Sequence, residues 1–320
     1  MPWIVGIDEA GYGPNLGPFV MTSVACRVPE DLADANLWKA LRSAVRRRPS
    51  EEDSRVVVND SKLVYSPQRG LRDLETAVLA TVTPWVDGAE MCLSDYVGRA
   101  SPTCQQSLQS EPWYVGTSKL PAASEPATFI RAAMRFARAC VRRQITWGIV
   151  RCIIVCPARF NDLLDVWGSK GATLGTSLAE LIDANLRPVD GDDVFFTVDK
   201  HGGRNTYAPM LQHAVPDSMV VAHEESMDVS SYSVLGLDRR VRFSFRPRAD
   251  SGHFCVALAS MVSKYVRELL MREFNDFWQT HVPGLKPTAG YPGDSARFFD
   301  EIKPAAKRLG IPEAVLWRRR

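Results

Sequence analysis

The feature that most constrains the fold is a short apolar run that ends in two adjacent carboxylates and a glycine-rich turn, GIDEAGYG at residues 6–13. The run from Ile4 to Ile7 has the composition of a buried strand. A strand interior tolerates neither buried charge nor repeated glycine well. The pattern therefore predicts a central strand that reaches a ligand at Asp8 and Glu9.

Asp8 and Glu9 cannot both reach one ion while the strand stays regular, because neighbouring strand residues face opposite sides of the sheet. Gly11 and Gly13 would let the chain turn at this point. They would also bring backbone N–H groups close to a phosphate or a sugar.

Strands and helices alternate along the rest of the chain, which predicts an α/β fold with a mixed central β-sheet flanked by helices. A hairpin is expected between the first strand and residues 19–28. Further strands are expected at 56–58, 149–157 and 193–199, and helices at 31–47, from about 66 to 82, at 126–148, from about 160, at 177–186 and at 253–282. The segment 284–311 is expected to be a glycine-proline loop followed by a short helix.

Residues 240–246 alternate polar and apolar side chains, with Arg240, Arg242 and Arg246 on one predicted face. Such a pattern favours an edge strand with a solvated basic face, which also blocks aggregation. The alternative is a strand whose arginines face phosphate.

Composition excludes several classes of protein. The net charge of +2 is too small to establish a nucleic-acid partner, although basic residues cluster at 46–48, 239–248 and 318–320. The seven cysteines have irregular spacings, which predicts reduced, structural thiols. The sequence contains no signal-peptide pattern and no apolar run long enough for a membrane span, so we expect a cytoplasmic protein without a membrane partner.

Four carboxylates occur where predicted strands or helices begin or end, namely Asp8, Glu9, Asp199 and Asp250. Each alone is explained by a turn or a cap, and Asp250 would suit a helix cap. Carboxylates that converge at strand ends repel one another unless a divalent cation neutralises them, and oxygen ligands suit Mg²⁺ or Mn²⁺. Two such ions about 4 Å apart would activate water and stabilise the leaving oxygen of a phosphodiester. Phosphodiester hydrolysis is the natural candidate.

Four motifs resemble, in order, those of type 2 ribonucleases H. GIDEAGYGPNLGP resembles the opening motif of that family, and the turn at Asp60-Ser61-Lys62 resembles its D-S-K motif. The segment around Ala249-Asp250 and Lys264 is similar to the A-D segment of the family, and GYPGD at residues 290–294 resembles its G-Y-P-s-D loop.

The resemblance implies an RNase H-like fold with a C-terminal helical extension. It places the catalytic domain at 1–265 and a basic hairpin insertion at 225–248. Residues 93–125 are poor in periodic apolar residues and rich in Ser, Pro and Gln, which predicts a long surface insertion. Residues 266–320 would then form a helical part packed on this domain. The chain is expected to act as a monomer.

The implied activity is metal-dependent endonucleolytic cleavage of RNA in RNA/DNA hybrids, or at ribonucleotides embedded in duplex DNA, with 5′-phosphate and 3′-hydroxyl products. The family's catalytic carboxylates would fall on Asp8, Glu9, Asp199 and Asp250. We assign Asp8 and Asp199 as ligands shared by two ions, with Glu9 and Asp250 on the outer sides. The expected substrate-binding residues are Gly11, Tyr12, Gly13, Lys62, Lys264 and Tyr291.

Several residues depart from the family pattern. Tyr12 stands where the family has arginine, which exchanges a fixed cation for a ring that can stack on a sugar or base. Lys62 and Lys264 also have plain structural interpretations, as a solvated turn lysine and as a side chain that extends past the core. His201 and His253 lie near the predicted ligands, so either could move protons.

Two other classes of function remain open. A protein that kept the fold but only binds structured nucleic acid would use its arginines and Tyr12. Four carboxylates would weaken such binding without metals. A resolvase or transposase-like nuclease would share the carboxylates but would not explain the GYPGD loop.

Overall fold

The first strand lies at the centre of the main sheet in the computed structural model of the chain, which describes residues 1–50, 53–82, 91–148, 150–187 and 191–319. In these ranges the strands are β1 (Trp3–Ala10), β2 (Phe19–Arg27), β3 (Val45–Arg46), β4 (Val56–Val57), β5 (Met91–Cys92), β6 (Lys119–Leu120), β7 (Thr146–Trp147), β8 (Arg151–Val155), β9 (Val194–Asp199), β10 (Met219–Glu225), β11 (Ser230–Leu235) and β12 (Val241–Arg246).

The main sheet is mixed and has the order β10-β11-β12-β9-β1-β2-β7, with β8 also paired to β2. Strands β1, β2 and β8 are antiparallel neighbours, whereas β9 is parallel to β1 and β12 is parallel to β9. The carboxyl ends of β1, β9 and β12 therefore meet at one edge of the sheet.

Helices cover both faces of this sheet. The helices in the described ranges are α1 (Leu37–Ala40), α2 (Ser61–Val64), α3 (Arg72–Thr81), α4 (Leu93–Ala100), α5 (Gln105–Gln109), α6 (Pro126–Arg142), α7 (Pro157–Trp167), α8 (Lys170–Leu186), α9 (Ala208–Ala214), α10 (Phe254–His281), α11 (Pro292–Leu309) and α12 (Glu313–Leu316). Helix α10 packs across β1 and β2. Helix α8 covers the other face, where Asn185 donates a hydrogen bond to Ser23 Oγ at 2.8 Å.

The predicted α/β fold with a mixed sheet flanked by helices is confirmed. The hairpin of β1 with β2, the long helix α10 and the buried strand β9 all lie where the sequence places them. All seven cysteines are free, and six of them are buried. No helix in the described ranges is long and apolar enough to cross a membrane.

Two predicted elements are wrong. The helix expected at 31–47 is reduced to α1, preceded by a 3-10 turn at Glu30–Leu32 and followed by β3. Strand β12 is not an edge strand, because it lies between β11 and β9. Its alternation is nevertheless confirmed, since Val241, Phe243 and Phe245 are buried while Arg242 and Arg246 are exposed.

Residues 93–125 differ from the expected surface segment. They contain α4, α5 and β6, and Trp113 is buried against Phe274 and Trp278 of α10. Within residues 225–248, β11 pairs with β12, and β10 adds a third antiparallel strand, whereas the assignment of this segment as an insertion stays a prediction.

The C-terminal residues pack on the sheet end that carries the glycine turn. Leu16 forms a β-bridge with Trp317, and the backbone N–H of Arg318 donates to the Asn15 carbonyl at 2.8 Å. The expected short helix is the eighteen-residue α11. The boundary between 265 and 266 stays a prediction, and α10 runs unbroken across it. Arg320, part of the third basic cluster, lies outside the described residues.

Candidate functional site

Asp8 and Asp199 lie side by side at the carboxyl ends of two parallel strands. The register pairs Ile7 of β1 with Val198 of β9, so the two aspartates follow on neighbouring strands. Asp8 is 6% exposed. Burial, and then the charges of Glu9 and Asp199, raise the pKa of Asp8 well above its ordinary value. Thr22, the partner of Asp8 in the register of β1 and β2, shares a hydrogen bond of 2.8 Å with Ser263 of α10, so Asp8 faces α10 as well.

Asp250 approaches Asp199 through a tight turn. The Ala249 backbone N–H donates to Asp199 Oδ1 at 2.6 Å, and Asp250 is the next residue. Arg248, just before, has the left-handed φ of 54°, which is unusual for a residue other than glycine. Burial, and then the charges of Glu9 and Asp250, raise the pKa of Asp199 to about 6. The pKa of Asp250 is also raised, by burial and then by the charge of Asp60.

Glu9 lies on the opposite side of β1 from Asp8, because the strand stays regular through Ala10. Its Oε2 is 3.5 Å from Nε2 of His201, in the loop after β9. Both atoms are buried, and neither has a hydrogen-bond partner among the described residues. The glycine turn begins only after β1 ends at Ala10, so it does not bring the two carboxylates to one side.

The four predicted carboxylates therefore gather at one end of the sheet, and we call them the acidic cluster. Within the described ranges, no three His, Cys, Asp or Glu side chains are arranged so that they could hold one metal ion. The donors nevertheless suit a hard divalent cation, because all four are carboxylates and Glu9 Oε2 is a buried acceptor without a donor. A bound cation would also offset the repulsion that raises the pKa of Asp8 and Asp199.

Asp60 is a fifth acidic residue at this site, and it was not among the residues predicted from the sequence. Its charge acts on Asp250, and its side chain caps α2 by accepting a hydrogen bond from the Lys62 backbone N–H at 2.8 Å. Ser61, the next residue, accepts a hydrogen bond from Ser260 of α10. The D-S-K motif could have identified Asp60 as a site residue, but a helix-capping role alone would explain an aspartate at that position.

The glycine turn has three distinct environments. Gly11 has a φ of +85°, and a β-carbon there would stand 2.4 Å from Arg267 Nε, so this glycine makes room for a buried arginine. Tyr12 is half-buried against the core, with the Lys170 ammonium 6.0 Å from its ring centre. Gly13 is exposed and lies against the exposed ring of Tyr291.

The two predicted lysines differ in environment. Lys62 is exposed on α2. Lys264 Nζ lies 2.6 Å from Glu268 Oε1, and the Lys264 ammonium also lies over the ring of Tyr65. The Tyr65 hydroxyl donates to the other oxygen of Glu268 at 2.6 Å. The charge of Lys264 is thus largely paired within the protein.

A polar groove of about 560 Å³ lies next to Asp250 on the α10 face of the sheet. Exposed Arg246 and Arg248 line it, together with His253. Burial and the charge of Arg246 lower the pKa of His253 to about 4. His253, rather than Asp250, is the N-cap residue of α10, so the capping role considered for Asp250 is not observed.

The basic residues after Asp199 point in different directions. Lys200 is buried and donates to Asn205 Oδ1 and to the Ser226 carbonyl, and burial lowers its pKa. Its side chain therefore faces the β10-β11 turn. Arg204 lies four residues further along the same loop, where its backbone N–H donates to the His201 carbonyl.

Solved structures similar to this chain are ribonucleases HII and HIII. RNase HII from Archaeoglobus fulgidus, solved as a complex with PCNA, is 15% identical over 99% of this chain and 94% of that chain, with a TM-score of 0.45. Ribonuclease H2 from Pyrococcus horikoshii OT3 is 14% identical over 98% of this chain and 92% of that one, with a TM-score of 0.42.

A third structure is Bst-RNase HIII in complex with Mn²⁺, 15% identical over 99% of this chain and 66% of that one, with a TM-score of 0.41. No protein-family model and no curated protein matches the chain. Identities this low leave the activity of the chain to be inferred from its own residues.

Proposed function

We propose that the chain is a metal-dependent endoribonuclease of the type 2 ribonuclease H class. It would cleave RNA in RNA/DNA hybrids or at ribonucleotides embedded in duplex DNA, leaving 5′-phosphate and 3′-hydroxyl ends. The observation that carries the proposal is the acidic cluster: Asp8, Asp199 and Asp250 come from separate segments, and burial raises the pKa of each. Such an arrangement is costly unless a cation balances it.

Asp8, Glu9, Asp199 and Asp250 would hold Mg²⁺ or Mn²⁺, and two ions are expected from the number of carboxylates. When bound, such ions lower the pKa of water and offset charge on the attacking and leaving oxygens.

The protein's own groups orient the carboxylates. The Ala249 N–H fixes one oxygen of Asp199, and the Glu9 backbone N–H donates to Asp8 Oδ1 at 2.7 Å. His201 Nε2 lies beside Glu9 Oε2, at a position from which it can take or return a proton.

Substrate contacts would come from both sides of the acidic cluster. Arg246 and Arg248, which line the groove beside Asp250, would bind phosphates of the nucleic-acid backbone. Tyr291 presents an exposed ring beside Gly13, and a sugar or base could pack on it.

A second candidate is a protein that binds structured nucleic acid without cleaving it. The observation that favours it is the lack, within the described ranges, of three ligands arranged around one ion. Tyr12 in place of the family arginine also fits altered substrate recognition.

Cleavage of labelled duplexes separates the two candidates. The substrates are DNA with one ribonucleotide, an RNA/DNA hybrid and an all-DNA control, each with Mg²⁺, Mn²⁺ or EDTA. We expect metal-dependent cutting of the first two, loss of cutting in Asp199→Asn, and normal cutting in Asp300→Asn, which removes an exposed carboxylate of α11. A folded protein that binds these duplexes but cuts none would support the second candidate.

Metal binding is measured separately from cleavage. Mn²⁺ should raise the melting temperature of the wild-type protein and of Asp300→Asn, because a ligand that binds only the folded state stabilises it. It should have little effect on Asp199→Asn. An equal rise in all three proteins would exclude the acidic cluster as the metal site.

A further inference from the structure

A second groove lies on the face of the sheet opposite α10. It has a volume of about 480 Å³ and is lined by residues from the end of α7, the first half of α8, the loop after β9 and α9. The lining residues that matter here are Trp167, Gly175, Arg204, Met210 and His213. None of them belongs to the acidic cluster.

The groove combines an aromatic platform with a cationic group. Trp167 is 46% exposed although it is a large apolar side chain, and its ring makes an edge contact with the His213 ring at a centroid distance of 6.3 Å. Residue 175 is glycine, and a β-carbon there would stand 3.3 Å from Met210 Cγ, so a larger side chain would narrow the groove. Arg204 supplies a guanidinium at the rim. An exposed indole with a neighbouring cation is the combination on which unpaired bases stack.

A few neighbouring residues connect the groove to the acidic cluster. Arg204 follows His201 in one turn, and His201 lies against Glu9. On the other side, a β-carbon on Gly171 would stand 2.9 Å from Arg204 Nη2, so the guanidinium lies against the first turn of α8. The preceding residue, Lys170, lies beside Tyr12 of the glycine turn. Two cationic side chains, Lys170 and Arg204, thus lie between the glycine turn and the groove.

We propose that this groove binds a single unpaired nucleobase of the nucleic-acid substrate, stacked on Trp167 with its phosphate beside Arg204. The proposal rests on the proposed function only in taking nucleic acid as the substrate. The volume lies within the range of small-molecule pockets, about 300–1,000 Å³, and a nucleotide fits it. The protein would then favour duplexes that have a single-stranded or extruded nucleotide near the bound region.

Equilibrium binding in EDTA tests the groove without cleavage. The probes are a fluorescein-labelled RNA/DNA hybrid with blunt ends and the same hybrid with a three-thymidine overhang. Trp167→Ala should weaken binding of the overhang hybrid about ten-fold, the order expected for one lost stacking contact, and leave the blunt hybrid unchanged. Trp167→Phe should retain most of the affinity. Val166→Ala, which removes an apolar side chain 71% exposed on the same helix, is the matched control and should have no effect.

Photocrosslinking identifies the contact directly. An overhang that carries 5-iodouracil should crosslink to the peptide that contains Trp167, as determined by mass spectrometry of the full-length protein. Equal effects of Trp167→Ala on both hybrids, or crosslinks only elsewhere, would overturn the groove assignment. If the protein cuts hybrids but its binding does not depend on Trp167, only the groove assignment is wrong. If binding of the overhang depends on Trp167 but the protein cuts no substrate, the groove assignment holds and the proposed function is wrong.

Discussion

Gly6 of β1 lies directly against the backbone of Val256 in α10, so closely that a β-carbon on residue 6 would stand 2.2 Å from the Val256 nitrogen. The contact sets the distance between the sheet and the helix one turn before Ser260, which contacts Asp8. The first glycine of the motif thus serves the packing that positions the acidic cluster, and it does not face a ligand.

Gly6→Ala is expected to destabilise the protein by about 3 kcal/mol, at the upper end of overpacking effects, because backbone atoms cannot rotate away from the added methyl group. Chemical denaturation measures the loss. The matched control is Gly293→Ala in the first turn of α11, where a β-carbon would meet no atom within 4 Å. The control should be neutral or slightly stabilising. Equal stability of the two variants would show that α10 can shift away from β1.

Glu75→Ala is expected to cost at least about 3 kcal/mol of stability. Buried Glu75 accepts hydrogen bonds from the backbone N–H groups of three consecutive residues, 122–124, and from the Tyr265 hydroxyl. Each buried donor left without an acceptor costs about 1–3 kcal/mol. Urea unfolding gives the value, with Glu125→Ala as the control, since Glu125 is exposed. A loss below about 1 kcal/mol would mean that water replaces the carboxylate.

Much of the site could be predicted from the sequence. Asp8, Glu9, Asp199 and Asp250 are brought to one sheet end, because parallel strands place their carboxyl ends together. The long helix α10 was predictable because its apolar residues recur with the period of a helix along its whole length.

The errors come from contacts between distant residues. Alternation along β12 is equally compatible with an edge or an interior position, and its pairing with β9 decides between them. The apolar residues after Asp31 fit a helical period, yet Val45 pairs with Val56 in a short parallel ladder. The environment of Lys264 depends on Tyr65, which no pattern around α10 reveals.

The stability of the metal-free protein should depend on the protonation of Asp199. Its pKa in the folded protein is about 6 against an ordinary value of 3.8, so the folded state binds the proton more tightly than the unfolded state. The contribution of Asp199 to stability therefore improves as the pH falls from about 7 to about 4. Asp199→Asn should be more stable than wild type in EDTA at pH 7, by about 1–3 kcal/mol. The difference should shrink towards pH 4, as measured by thermal unfolding, and a constant difference would contradict the raised pKa.

Lys62 and Lys264 should differ in how they affect the salt dependence of nucleic-acid binding. A lysine that neutralises a phosphate contributes about 0.9 to the slope of log affinity against log salt. Lys62 is exposed at the start of α2, beside Asp60 at the acidic cluster, whereas the Lys264 ammonium is already paired with Glu268. Lys62→Ala should therefore lower the slope by about 0.9 and Lys264→Ala should leave it unchanged, in anisotropy titrations of a hybrid in EDTA. The opposite order would show that substrate displaces Glu268 from Lys264, which would make Glu268 and Tyr65 part of the binding surface.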